Sequence, residues 1–185
     1  MKKLAIMAIL ASAALAASAT EIGVSGSRDS TQNGVSGYAV SVAQPVASVA
    51  GLTVTGQFEN TLGAKGTNVD KFDVGAAYDV AKFGPVTVTG LAGGGYTDVQ
   101  ATDIRGSYVT FGAQASAPVP YVKDLTALVA VKRQLGTSAV TALDHTEATV
   151  GVSYALTKSI SVKATETVYD GTGGNKAAVG VSYAF

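Results

Sequence analysis

The sequence predicts a closed, antiparallel up-and-down transmembrane β-barrel. Three observations carry this: little charge without a spanning apolar run, ten segments of alternating polarity, and two alternating kinds of connection. Charged residues make up 14% of the 185-residue chain, against roughly 25% in a soluble globular domain. Gly counts 22 and mean hydropathy is +0.30. So little charge leaves too little polar surface to cover a water-soluble particle of this size. After the N-terminal segment, however, no apolar run approaches the roughly 18 residues that a transmembrane helix needs. Apolar overall but never apolar for long is the pattern of a membrane barrel, where lipid-facing and lumen-facing residues alternate along each strand.

The first nineteen residues read as a secretory signal peptide. Lys2 and Lys3 form a positive n-region, Leu4 to Leu15 an apolar stretch too short to span a bilayer, and Ala17-Ser18-Ala19 a cleavage site. The exported chain would begin at Thr20, and residues 20–185 suit a single barrel domain. There is no Cys, so neither a disulfide nor a thiolate metal site is available.

Ten segments with period-two alternation recur, bounded by Gly, Pro, Asn or Asp: 20–28, 34–44, 52–62, 71–80, 85–97, 105–117, 125–135, 145–156, 159–169 and 176–185. The links after even-numbered strands, "QPVASVAG", "AKFGP", "PVPYVKD" and "TKS", are read as short periplasmic turns. Those after odd-numbered strands, "RDSTQNG", "GAKGTNVD", "DVQATD", "GTSAVTALD" and "DGTGGN", are read as longer extracellular loops. An even strand number returns both termini to the periplasm.

An internal repeat sets the register. Val74-Gly75-Ala76-Ala77-Tyr78, Val150-Gly151-Val152-Ser153-Tyr154 and Val179-Gly180-Val181-Ser182-Tyr183 share one pattern on even-numbered strands, with Phe111-Gly112-Ala113-Gln114 a looser copy. Val and Tyr would face lipid and Gly the crowded lumen. The repeat tyrosines, with Phe83, Tyr121 and Phe185, would form the periplasmic aromatic girdle, and Tyr38, Phe58, Phe72, Tyr96 and Tyr169 the outer one. The same aromatics as the core of a soluble β-sandwich would sit poorly with the low charge.

The terminal Val179, Val181, Tyr183 and Phe185 resemble the C-terminal β-signal of Gram-negative outer-membrane proteins, and the whole mature chain resembles small porin-like barrels of the opacity-protein and OmpA-transmembrane-domain type. The resemblance implies an outer-membrane location among lipid and lipopolysaccharide. It also implies recognition by the barrel-assembly machinery, with the last strand pairing to the first so that no sheet edge remains. Those barrels commonly have eight strands, so eight stands as the alternative count to ten.

Alternation places a polar set in the lumen. Strand three sends Thr53, Thr55, Gln57 and Glu59 inward, and strand four Asp73, Gly75, Ala77 and Asp79. Strand seven sends Thr126, Lys132 and Gln134, strand eight Glu147, Thr149 and Ser153, and strand nine Lys163 and Thr165. The charged members, Glu59, Asp73, Asp79, Lys132, Glu147 and Lys163, read first as ion pairs that plug a narrow interior, since buried charges are paired or costly. The second reading is an ion path. Ten strands give a backbone radius of about 10 Å, against about 8 Å for eight. Many inward side chains are small, which leaves room for water and ions but not for a sugar or peptide.

Other chemistry has weak support. The single His145, beside Asp144 at the extracellular rim, is the one handle for an outer-membrane hydrolase, but with Ser138 it matches no nucleophile motif. One His without Cys gives no metal-ligand spacing, and no cofactor is implied. A formal net charge of zero with no basic cluster argues against nucleic-acid binding. "GLAGGGYTD" lacks the Lys and helix of a phosphate loop; Gly93, Gly94 and Gly95 instead let strand five bend or a bulky lumen neighbour approach. Alternation puts Glu166 on the lipid face, which calls for either a bulge that turns it inward or a position near the interface. The expected role is a non-enzymatic barrel, structural or a narrow ion-permeable channel, with an adhesin or receptor acting through the outer loops as the alternative.

Overall fold

The computed structural model describes residues 20–29, 35–62, 68–100, 104–137, 143–170 and 175–185. Residues 1–19, read above as a signal peptide, Ser138 and most of the outer-loop tips lie outside them.

Ten strands form: β1 (Glu21–Asp29), β2 (Val35–Pro45), β3 (Leu52–Leu62), β4 (Asn68–Phe83), β5 (Val86–Val99), β6 (Ile104–Pro118), β7 (Leu125–Gly136), β8 (His145–Ala155), β9 (Ile160–Tyr169) and β10 (Asn175–Ala184). Each pairs antiparallel with its sequence neighbours, and β1 with β10 closes the barrel. The expected up-and-down barrel is therefore present with ten strands rather than eight. Following the pairings once round returns to β1 displaced by about twelve residues, which sets a tilt of about 40° and a backbone radius of about 10 Å.

β4 runs further than its alternation suggested. A bulge at Val80, between the Asp79–Thr89 and Ala81–Val88 pairs, absorbs one residue and carries the strand on through Ala81-Lys82-Phe83. The strand then turns at Gly84, whose φ of 59° favours glycine. The expected length asymmetry of the links is largely absent, because strands continue into segments that polarity alone marks as loop. The links at 46–51 and 119–124 are as long as those at 30–34 and 63–67.

Those two near-end links share a pattern missed in the sequence, Pro-Val-x-x-Val-x-Gly/Asp-Leu at 45–52 and 118–125. In each, the backbone N–H of the first Val donates to the carbonyl of the closing Leu, at 2.9 Å in both. Gly51 and Asp124 take the same left-handed conformation, with φ of 79° and 64°.

Closure is exact in register. Tyr183 lies opposite Ile22 and Ala184 opposite Glu21, and the N–H of Phe185 donates to the Thr20 carbonyl at 3.0 Å. The final residues are thus the seam of the barrel, and the Tyr183 and Phe185 rings pack edge to face at 5.0 Å.

The exterior is apolar. Val24, Val54, Val74, Val109, Phe111, Val129, Val150 and Val181 are all exposed, a surface that water would not tolerate and lipid requires. Tyr38, Phe72 and Tyr96 face outward toward the loop end, and Tyr78, Phe83, Tyr154 and Tyr183 toward the end that carries both termini. Phe58 shares the parity of the first three but is buried, its ring 6.4 Å from that of Tyr38. Phe72 and Phe83 bracket about 25 Å of height on β4, the thickness of a barrel's apolar band. Tyr121 projects fully exposed from the 119–124 link.

Tyr169 departs from the expected outer girdle. It lies opposite Glu147 and lines the lumen, because it follows Lys163, Thr165 and Thr167 in parity. The Glu166 question is also decided. β9 pairs on both sides without a register shift, so no bulge turns Glu166 inward. It stays on the exterior near the loop end, where Asn175 Nδ2 donates to its carboxylate at 3.1 Å. A charge at that height costs at most about 1 kcal/mol.

Candidate functional site in the lumen

The lumen divides into a charged far half, toward the outer loops, and a small-residue near half, toward the termini. Glu59, Asp73, Lys132, Glu147 and Lys163 all line it. The barrel adds Lys71, Tyr108, His145, Tyr169 and Lys176, none of which sequence reading placed there. The signal was available for Lys71 and Tyr108. Each shares parity with residues already assigned inward, Asp73 and Gly112.

Glu147 is the centre of the far half. Its carboxylate meets Lys132 Nζ at 2.9 Å and Lys71 Nζ at 3.7 Å. Lys132 is its cross-strand neighbour, whereas Lys71 reaches it across the lumen from β4. His145 Nε2 donates to the same carboxylate at 2.9 Å, and Nδ1 lies 3.1 Å from the Leu143 carbonyl. Both ring nitrogens therefore face acceptor oxygens. The ring points inward and packs against Tyr169 at 5.7 Å.

A second pair crosses the lumen beside it, where Lys176 donates to Glu59 and Thr61 Oγ1 adds a hydrogen bond at 3.3 Å. Asp73 accepts from the Tyr108 hydroxyl at 2.7 Å, and Lys71 Nζ sits 5.1 Å from the centre of the same ring. Tyr108 reaches Asp73 by lying across Gly95 of the intervening β5. A Cβ at Gly95 would come within 2.4 Å of both the Tyr108 hydroxyl and the Phe72 carbonyl. One purpose of the "GGG" run is thus to let a bulky neighbour approach.

A cavity of about 530 Å³ runs from this layer into the near half. Its walls include Ser25, Ser41, Thr55, Gln114, Thr165 and Ser182, with hydroxyls paired as Thr149–Thr167 at 2.9 Å and Ser161–Ser182 at 2.7 Å. Lys163 stands in this half opposite Ser153 and Gly180. Unlike the other five lumen charges foreseen in the sequence, among them Asp79, which accepts from Thr89 at 2.9 Å, it makes no ion pair or hydrogen bond among the described residues; Glu21 shares the cavity with it. Among the described residues no group of three His, Cys, Asp or Glu is placed to hold a metal ion.

At the far rim, outside the barrel wall, Asp170 accepts the Thr146 N–H at 2.6 Å and Arg133 Nη1 at 3.3 Å. The Thr146 hydrogen bond, helped by Arg133, holds its carboxyl below the usual aspartate range. This tie is complete above the ordinary aspartate pKa and is lost as pH falls through the depressed one. Between pH 7 and pH 2, amide protection at the β8–β9 rim, taken relative to the intrinsic exchange rate at each pH, should therefore fall, and Asp170→Asn should remove most of that pH dependence.

No known family's sequence pattern matches the chain, and no curated protein resembles it in sequence. Its likeness is to solved barrels. The KdgM porin superposes with a TM-score of 0.53 at 12% identity over 89% of this chain and 99% of that one. The NanC porin gives 0.50 at 14% identity over 88% and 98%. The translocator domain of the autotransporter NalP from Neisseria meningitidis gives 0.50 at 10% identity over 100% and 95%. At such identities the likeness is one of fold.

Proposed function

We propose that the chain is a small outer-membrane barrel that provides a narrow ion pathway, hydrated from the periplasmic side and constricted toward the outside by paired charges. The observation that carries this reading is Lys163. An unpaired ammonium in a dry interior costs several kcal/mol, so a lysine facing a cavity of about 530 Å³ without a salt bridge, with Glu21 in the same cavity as its fixed counter-charge, calls for water around it. The far half lacks that freedom, because Glu147 and Glu59 hold the other lysines across the bore. The likeness in fold to porins agrees with a channel role.

Catalysis has less support. His145 has both nitrogens engaged, which leaves no base free for a substrate. An adhesin or receptor role would rest on outer links that are only four to eight residues long. The terminal Val179, Val181, Tyr183 and Phe185 would serve as the signal read by the assembly machinery, as in opacity-type barrels, and lipopolysaccharide would surround the outer half.

Single-channel recording of the refolded mature chain in planar bilayers tests the proposal. Small steps with a preference for anions are expected, and Lys163→Glu should reverse that preference while leaving the folded fraction unchanged. A folded barrel that is silent in both forms would overturn the reading.

A further inference from the structure

The exterior carries a concavity that the lumen chemistry does not use. It is a groove of about 660 Å³ spanning β4 to β7. Ala76, Gly90, Ala92 and Ala113 form its floor, Tyr78, Phe111 and Val131 its walls, and Arg133 its far end. The depression arises in register, from the adjoining rows Ala76–Ala92–Phe111 and Tyr78–Gly90–Ala113. Packing does not force the glycine there. A Cβ at Gly90 would meet nothing closer than Val80 Cγ1, an ordinary contact at 3.5 Å, whereas one at the lumen-facing Gly112 would lie 2.2 Å from a backbone carbonyl.

Arg133 is the second observation. It faces outward above Val129 and Val131, at the height of the outer aromatic row, where a guanidinium costs little and meets lipid head groups. Its contacts to Thr146 and Asp170 both use Nη1. The rest of the planar fork, which matches phosphate geometry, is uncommitted among the described residues. A groove on this face can be filled only by what the bilayer supplies. We propose that it is a lipid site: one acyl chain lies in the groove and the lipid's phosphate is held by Arg133.

The chain has no Trp, so a single introduced Trp reports from one place. Phe111→Trp puts the probe in the groove wall, and Val24→Trp puts a reference on the opposite exterior. Each is reconstituted in phosphatidylcholine vesicles and titrated with brominated phosphatidic acid or brominated phosphatidylcholine, and the quenching is compared. At the groove probe, phosphatidic acid should be preferred about fivefold, the equivalent of about 1 kcal/mol for one basic residue at a membrane surface; at the reference the ratio should be close to one. Arg133→Gln should bring the groove ratio to one, and Asp170→Asn, which removes the competing carboxylate, should raise it. Ala113→Leu, which fills the floor without touching Arg133, should weaken quenching by both lipids. Equal ratios at the two probes, a preference that survives Arg133→Gln, or quenching unaffected by Ala113→Leu would each overturn the site.

Discussion

Glu147→Ala is expected to open the constriction and give the largest change in conductance of any single lumen substitution. The carboxylate is shared by Lys132 at 2.9 Å, Lys71 at 3.7 Å and His145 at 2.9 Å. Without it two ammonium groups face each other, with only the Asp73 and Glu59 carboxylates, which are engaged by Tyr108 and Lys176, as counter-charge. At a separation of about 6 Å and an effective dielectric constant near 20, they repel by about 3 kcal/mol. Both side chains are long and will swing apart along the lumen. Single-channel steps should then grow severalfold with a stronger anion preference, and urea titration should show a loss of about 3 kcal/mol from breaking a largely buried pair. Lys132→Ala should do less, since Glu147 keeps Lys71. A folded Glu147→Ala barrel with wild-type conductance would show that the constriction lies elsewhere.

The largest stability effect is expected at Gly112. A Cβ there would stand 2.2 Å from the Val131 carbonyl and 2.8 Å from Lys132 Cα. These are backbone atoms of the paired strand, and no rotamer relieves the contact. Gly112→Val should therefore part β6 from β7, and an open edge has no hydrogen-bonding partner in lipid. Refolding into vesicles should give no band whose electrophoretic mobility shifts on boiling. Gly26→Val is the matched control, because its Cβ would meet nothing within 4 Å on an exposed exterior position, and it should fold as the parent does. Equal folding of the two would refute the steric account of the lumen glycines.

The same contrast explains what could be read in advance. Alternation has a period of two, so one correct anchor such as Tyr183 assigns every residue of a regular strand to a face. That is why Val179 and Val181 outside, and Gly180 and Ser182 inside, were legible without coordinates. The rule failed only where the strand extent was misjudged, at the long β4, or where parity was set aside for residue type, as at Tyr169. Lys71 and Tyr108 were overlooked although their parity was plain, because each matters through a partner on a non-adjacent strand.

The sequence by itself determined the class of fold, most of the inward and outward faces and the seam at Phe185, since these follow from local alternation and from the need of lipid for a closed sheet. The choice of ten strands over eight came from the closed pairing. Only the tertiary structure decided which charges meet. Glu147 finds Lys71 and Glu59 finds Lys176 across the bore, Tyr108 reaches Asp73 over Gly95, and Lys163 meets no ion pair among the described residues. These contacts depend on the stagger accumulated around ten strands, a global quantity to which each pairing contributes and which no single segment contains.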